Sequence, residues 1–166
     1  MDAIEQLIHH FDQTLIIPSA LHAFRKSMAT FAHRLRMTEL ITAECLPNTP
    51  VKVSDVERTL HQHAPDTPVY SYDLLCHLQK QYPGAILTLA LGPDNAEPLT
   101  WQRFYRYQAI QAEFAIYAVK ERLTLRSTHI RSRIAQTQAT DLVAALAPMT
   151  GQQEAQYILE HNLYCG

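Results

Sequence analysis

The run Ala85-Ile86-Leu87-Thr88-Leu89-Ala90-Leu91 has one polar residue in seven and stops at Gly92-Pro93. A strand with one wet face alternates polar and apolar side chains. A run with so little alternation suits a strand covered on both faces, as in a parallel sheet. Thr14-Leu15-Ile16-Ile17, ended by Pro18, and Phe114-Ala115-Ile116-Tyr117-Ala118-Val119 read the same way, and Val51-Lys52-Val53 supplies a short fourth. The expectation is strands near 13–18, 85–91 and 113–119.

Longer amphipathic stretches separate these runs. Phe31, Leu35, Thr38, Ile41 and Cys45 fall on one helical face, and Leu74, Leu75, Leu78 and Tyr82 form a second stripe. A third helix is expected from Trp101 to Ile110. The C-terminal third reads as helical throughout. Thr128 caps a helix reaching Gln136, Thr140-Asp141 opens a short one that Pro148 ends, and Thr150 with Gln153 has capping-box spacing for the last. This alternation predicts an α/β chain: a doubly wound, mainly parallel sheet with right-handed crossovers and a helical C-terminal third, in a single domain over residues 1–166. No repeat, low-complexity tract or linker interrupts it. The chain opens in a helix-like segment, Asp2 to His10, where a doubly wound domain opens on a strand and a ligand-binding loop.

Composition narrows the function classes. Lys and Arg number 14 against 16 Asp and Glu, a net charge of −2, which excludes an indiscriminate nucleic-acid binder. The four glycines fall in no GxGxxG or GxxxxGK run, so the dinucleotide fingerprint and the P-loop are both missing. Cys45, Cys76 and Cys165 have no CxxC spacing, which argues against a disulfide framework and a structural zinc. Nine histidines include the adjacent His9-His10 and the pair His61 and His63, but none has helical metal-ligand spacing, and no metal site is assigned. The acidic start lacks a basic n-region, and no apolar run is long enough to span a bilayer. The reading is a soluble, reduced, cytoplasmic protein without nucleic-acid or membrane partners.

Ligands of open α/β sheets bind beyond the carboxyl ends of the strands. Arg126-Ser127-Thr128-His129-Ile130-Arg131 places two hydroxyls where a helix begins and an arginine one turn further on. Free backbone N–H groups and the helix dipole favour an anion there, and Arg131 can add a forked contact to phosphate. On these residues alone, an ordinary N-cap before a solvated basic turn is the stronger reading. Asp94, in the turn after the most hydrophobic strand, either holds a ribose or base edge or serves the turn itself. Trp101 either stacks on a ligand ring or anchors packing.

Taken together, these segments resemble the nicotinate-nucleotide adenylyltransferases, within the wider nucleotidyltransferase family of Rossmann-like α/β enzymes. Arg126-Ser127-Thr128-His129-Ile130-Arg131 is similar to that family's Ser-Ser-Thr-x-Ile-Arg signature, and Gly92-Pro93-Asp94-Asn95 to its Gly-x-Asp turn. Trp101 falls where the family often has tryptophan. Val53-Ser54-Asp55-Val56-Glu57 with Tyr70-Ser71-Tyr72-Asp73-Leu74-Leu75 resembles its Ser-Asp-x-Glu and Ser-Tyr-Thr-x-Asp-Thr-Leu pair. Phe11-Asp12 with Pro18, Lys26 and Arg34 resembles the stretch around its second strand, and Tyr157 to Tyr164 its usual ending. The match runs in order along nearly the whole chain.

The resemblance implies adenylyl transfer from ATP to nicotinate mononucleotide, giving nicotinate adenine dinucleotide and pyrophosphate, with Mg²⁺ on the phosphates. Lys26, Ser127, Thr128 and Arg131 would hold ATP phosphates; Tyr70, Ser71, Asp94 and Trp101 would seat the acceptor nucleotide. The alternatives are a related transferase with another phosphate acceptor and a non-catalytic nucleotide-binding relic; whether the chain forms a homo-oligomer is open. The family's opening strand, Gly-rich loop and His-x-Gly-His motif have no counterpart here. That strand would be central in the sheet, between the strands at 13–18 and 85–91. The expectation is that both face an unpaired edge or re-pair, and that the chain as given turns over poorly.

Overall fold

A computed structural model describes residues 2–21, 28–120 and 127–164. Helix α1 (Asp2–Leu7) leads into strand β1 (Thr14–Ile16), then α2 (Phe31–Cys45), β2 (Val51–Val53), α3 (Val56–Gln62) and α4 (Ser71–Gln81). The second half continues with β3 (Thr88–Leu91), two single turns, α5 (Pro93–Ala96) and α6 (Pro98–Trp101), then α7 (Tyr107–Glu113) and β4 (Ala115–Ala118). Helices α8 (Ser127–Gln136), α9 (Leu142–Thr150) and α10 (Gln152–Glu160) close the chain. All four strands fall where the apolar runs place them, and both ladders are parallel: β1 on β2, with Thr14 opposite Val51, and β3 on β4, with Thr88 opposite Ala115.

The two ladders remain separate. The Thr14 N–H donates to Pro50 and the Ile16 carbonyl accepts from Ser54, so both face β2 and Leu15 turns its backbone to the other edge. In β3 the Leu87 and Leu91 carbonyls accept from Ala115 and Val119, leaving Thr88 and Ala90 toward the opposite edge. Among the described residues no strand pairs with either of these edges, and β1 and β3 do not close on each other. The interior is divided likewise. One cluster joins Met37, Ile134, Leu142, Leu146, Ala155, Ile158 and Leu163; the other joins Leu75, Leu91, Trp101 and Ile110. Gln6 links the halves. Its side-chain amide, 4% exposed, donates to the Lys120 carbonyl at 2.9 Å and accepts from the Lys120 N–H at 3.2 Å. The Phe11 and His10 rings pack on Tyr117 of β4.

Three helix boundaries differ from the sequence reading. No helix runs from Trp101 to Ile110. Trp101 ends α6 rather than opening a helix, and Arg106 adopts a left-handed conformation (φ 54°) before α7 begins. Nine residues at about 100° each would put Trp101 and Ile110 on opposite sides of one helix; the break lets both enter the same cluster. Pro148 lies inside α9, which continues to Thr150 and ends at Gly151. So near the carboxyl end, the missing proline N–H disturbs only the last turn. The last helix is not capped by Thr150. That residue is 2% exposed and its hydroxyl bonds within the preceding turn, to the Leu146 carbonyl at 3.3 Å. On α2, Met37 and Thr42 are the buried positions while Cys45 is exposed, so its buried face is rotated from the predicted stripe.

Candidate functional site

Each parallel strand ends in a connection carrying polar or charged side chains. After β1 the chain passes Pro18 and Ser19 to Ala20. The Ala20 N–H donates to Glu57 Oε2 at 2.8 Å, and its carbonyl accepts from Arg34 Nη2 at 3.3 Å. Arg34 Nε also donates to the Ala29 carbonyl at 3.0 Å. Glu57 stands in the first turn of α3, directly after β2, and is 4% exposed. Burial pushes its carboxyl up to about 7, against the pull of the Ala20 N–H and the Arg34 guanidinium. Burial also lowers Arg34, countered by Tyr164 and Glu57.

The segment after β4 meets this region through Tyr164. Its phenol is raised by burial and held back by Arg34 and, more weakly, by Arg131 and a hydrogen bond from the Ala29 backbone. Two arginines distant in sequence thus act on one phenol. Ala29, Ile130 and Tyr164 all pack on the first hydrophobic cluster, which brings the start of α8 beside the end of the β1–α2 connection. Ser127 is the first residue of α8, Thr128 is exposed in its first turn, and Arg131 follows one turn on, half-buried. Among the described residues Arg131 makes no ion pair. Lys26 lies between Ala20 and Ala29 in sequence and outside the described residues.

A second group gathers after β3. Gly92 precedes α5, and Asp94 is exposed in that turn. Trp101 is 8% exposed and packs against Phe104 and Tyr107 at ring separations of 5.0 and 6.3 Å. Tyr70 and Ser71 form the start of α4, and the Tyr70 ring lies 4.7 Å from Tyr105. The Arg106 guanidinium covers both Tyr105 and Tyr72, at 5.4 and 5.2 Å from the ring centres. The structure therefore groups Arg34 with Glu57 at Ala20, and separately Tyr70 with Tyr105 and, through Tyr105, with Arg106. Tyr105 and Arg106 carry no motif of their own; a left-handed residue is needed to bring them onto α4. Glu57 and Arg34 stand in recognisable segments, but their joint hold on Ala20 depends on two elements meeting.

A cytidylyltransferase-like family profile matches residues 1–134, and the chain belongs to that family of nucleotidyltransferases. It is similar, at 28% identity over 174 aligned positions covering 92% of this chain and 83% of the relative, to a protein of Albidiferax ferrireducens described as a nicotinate-nucleotide adenylyltransferase. A Vibrio parahaemolyticus structure described in the same terms matches with TM-score 0.72 and 26% identity, over 95% of this chain and 87% of that one. The Plasmodium falciparum nicotinic acid mononucleotide adenylyltransferase complexed with NaAD matches in fold, with TM-score 0.64 at 16% identity, over 98% of this chain and 90% of that one. The fold is the Rossmann-like α/β fold these structures share. Among the described residues no helix is long and apolar enough to cross a membrane.

Proposed function

We propose that the chain transfers the adenylyl group of ATP to nicotinate mononucleotide, a step in NAD synthesis. A phosphate oxygen of the mononucleotide attacks the α-phosphorus of ATP. The bond to the bridging oxygen breaks, and pyrophosphate leaves with that electron pair. The reaction needs alignment and charge stabilisation, with no covalent enzyme intermediate. The observation that carries the reading is the packing of Ile130, in the first turn of α8, against the same hydrophobic cluster as Ala29, which ends the β1–α2 connection, and Tyr164. A helix start and the arginine that follows it one turn on, Arg131, are a combination suited to polyphosphate.

In this reading Ser127, Thr128 and Arg131 hold ATP phosphates and Lys26 adds a charge from the β1–α2 connection. Tyr70, Ser71, Asp94 and Trp101 shape the acceptor side, supported by the tilted ring contact of Tyr70 with Tyr105. Mg²⁺ bound with the ATP would neutralise part of the phosphate charge during the transfer. The deciding experiment incubates purified chain with Mg-ATP and nicotinate mononucleotide and follows dinucleotide and pyrophosphate by chromatography. Both products should form together, and slowly, because the sequence has no counterpart of the family's Gly-rich loop and His-x-Gly-His motif to stabilise the phosphates. Products from a different phosphate acceptor in a parallel panel would reassign the acceptor; nucleotide binding with no product from any acceptor would favour a binding protein.

A further inference from the structure

We infer that Glu57 and Arg34 are positioning residues for the nucleotide site, acting together to hold the backbone at Ala20, just beyond the carboxyl end of β1, and at Ala29, just before α2. The inference rests on the adenylyl-transfer reading above. Ala20 is held on both sides: its N–H by Glu57 at 2.8 Å, its carbonyl by Arg34 at 3.3 Å. The same guanidinium reaches the Ala29 carbonyl through Nε at 3.0 Å. One side chain thus spans two points of the backbone nine residues apart. The rigid planar fork of arginine can donate in two fixed directions at once, which a lysine ammonium on a flexible stem cannot reproduce.

The arrangement carries a cost that packing alone does not explain. Glu57 is 4% exposed, and a carboxyl withdrawn from water is unfavourable unless its partners repay it. It stands in the first turn of a seven-residue helix beside the buried Val56, where an apolar side chain would pack without that cost. What the carboxyl supplies, and an apolar group cannot, is an acceptor for Ala20. Small misplacement at a reacting centre is expensive, since about 1 Å can cost about 100-fold in rate. Backbone held at Ala20 and at Ala29, which shares a cluster with Ile130 of α8, is what such a site requires.

The test compares Glu57→Ala, Glu57→Gln, Arg34→Ala and Arg34→Lys with the full wild-type chain. Amide hydrogen exchange at Ala20 is read first, then Mg-ATP affinity by calorimetry and kcat/KM with nicotinate mononucleotide. The Ala20 amide should exchange at least about tenfold faster in Glu57→Ala than in wild type. Glu57→Gln keeps an acceptor oxygen and should restore protection. ATP affinity and kcat/KM, per folded molecule, should fall about tenfold or more in Glu57→Ala and Arg34→Ala, and recover in Glu57→Gln but not in Arg34→Lys. If Glu57→Ala does not fold, Arg34→Lys carries the test, because it keeps the charge and loses only the fork. A purely structural pair would lower melting temperature and leave affinity per folded molecule unchanged. That result, or equal Ala20 exchange in wild type and Glu57→Ala, overturns the inference. A wild-type chain that binds neither nucleotide defeats the adenylyl-transfer reading and the positioning role with it, while Ala20 exchange separately reports whether the clamp itself exists.

Discussion

The Glu44 carboxylate, on α2, lies across the first turn of α10: Oε2 accepts from the Gln153 N–H at 2.8 Å, and Oε1 accepts from Gln152 at the same distance. These N–H groups have no partner within their own helix, and the two bonds hold the Glu44 carboxyl below its usual range. The cap is tertiary, supplied from more than 100 residues away. Gly151 makes it fit. Its φ is +88°, and a Cβ there would stand 3.1 Å from Glu44 Oε2. Glu44→Ala and Gly151→Ala are each expected to lower the thermal midpoint and loosen α10, read by circular dichroism and by exchange at Gln152 and Gln153.

Arg131→Ala should weaken ATP binding by about 1.5–3 kcal/mol, the contribution of a charge-assisted hydrogen bond. Since Arg131 is also one of the cations near Tyr164, the variant should raise the phenol further. A calorimetric titration with Mg-ATP beside an ultraviolet titration of tyrosine checks both. Unchanged affinity in a folded variant would remove Arg131 from the phosphate site.

Trp101→Ala should cost about 3–5 kcal/mol of stability, because it empties the centre of the second hydrophobic cluster. Trp101→Phe should retain the fold. For the acceptor role, emission from this sole tryptophan should change on titration with nicotinate mononucleotide, and Trp101→Phe should weaken that ligand more than ATP. An emission spectrum indifferent to every pyridine nucleotide would leave Trp101 as a packing residue only.

Burial pushes both Glu57 and Glu154 up to about 7 from an ordinary 4.5. Since the folded values lie above the unfolded ones, their contribution to stability is complete below 4.5 and is lost as pH rises through about 7. The thermal midpoint should therefore decline across that window. For Glu154 the loss should be about 1–2 kcal/mol after solvent screening. Glu154→Gln should flatten that part of the profile; an unchanged slope would show that the carboxyl is not held protonated.

Thr14 Oγ1, in β1, is buried and has no hydrogen-bond partner among the described residues. Thr14→Val replaces it with a methyl group of similar shape and should leave stability unchanged or raise it by up to about 1 kcal/mol, measured by urea denaturation. A clear loss would mean that the hydroxyl has a partner in solution.

Strand positions and type were legible in the sequence because apolar runs such as Ala85–Leu91 record burial directly, and the parallel pairing followed from the helices between them. The Ser127-Thr128-Arg131 segment was legible as a helix start, since hydroxyl residues and a following arginine act within one turn. Tertiary structure decided what depends on distant partners. Thr150 and Gln153 had the spacing of a local cap, but Glu44 supplies the acceptor because it is an ionised carboxylate already facing that turn. A continuous helix through Trp101 and Ile110 satisfied local propensity, yet one cluster buries both residues, which only a left-handed Arg106 permits. Glu57 and Arg34 each stood in a recognisable segment, but only the meeting of α2 and α3 at Ala20 joined them. Local sequence sets periodicity and caps within a turn or two; which carboxylate meets which N–H across the molecule is settled by the packing of whole elements.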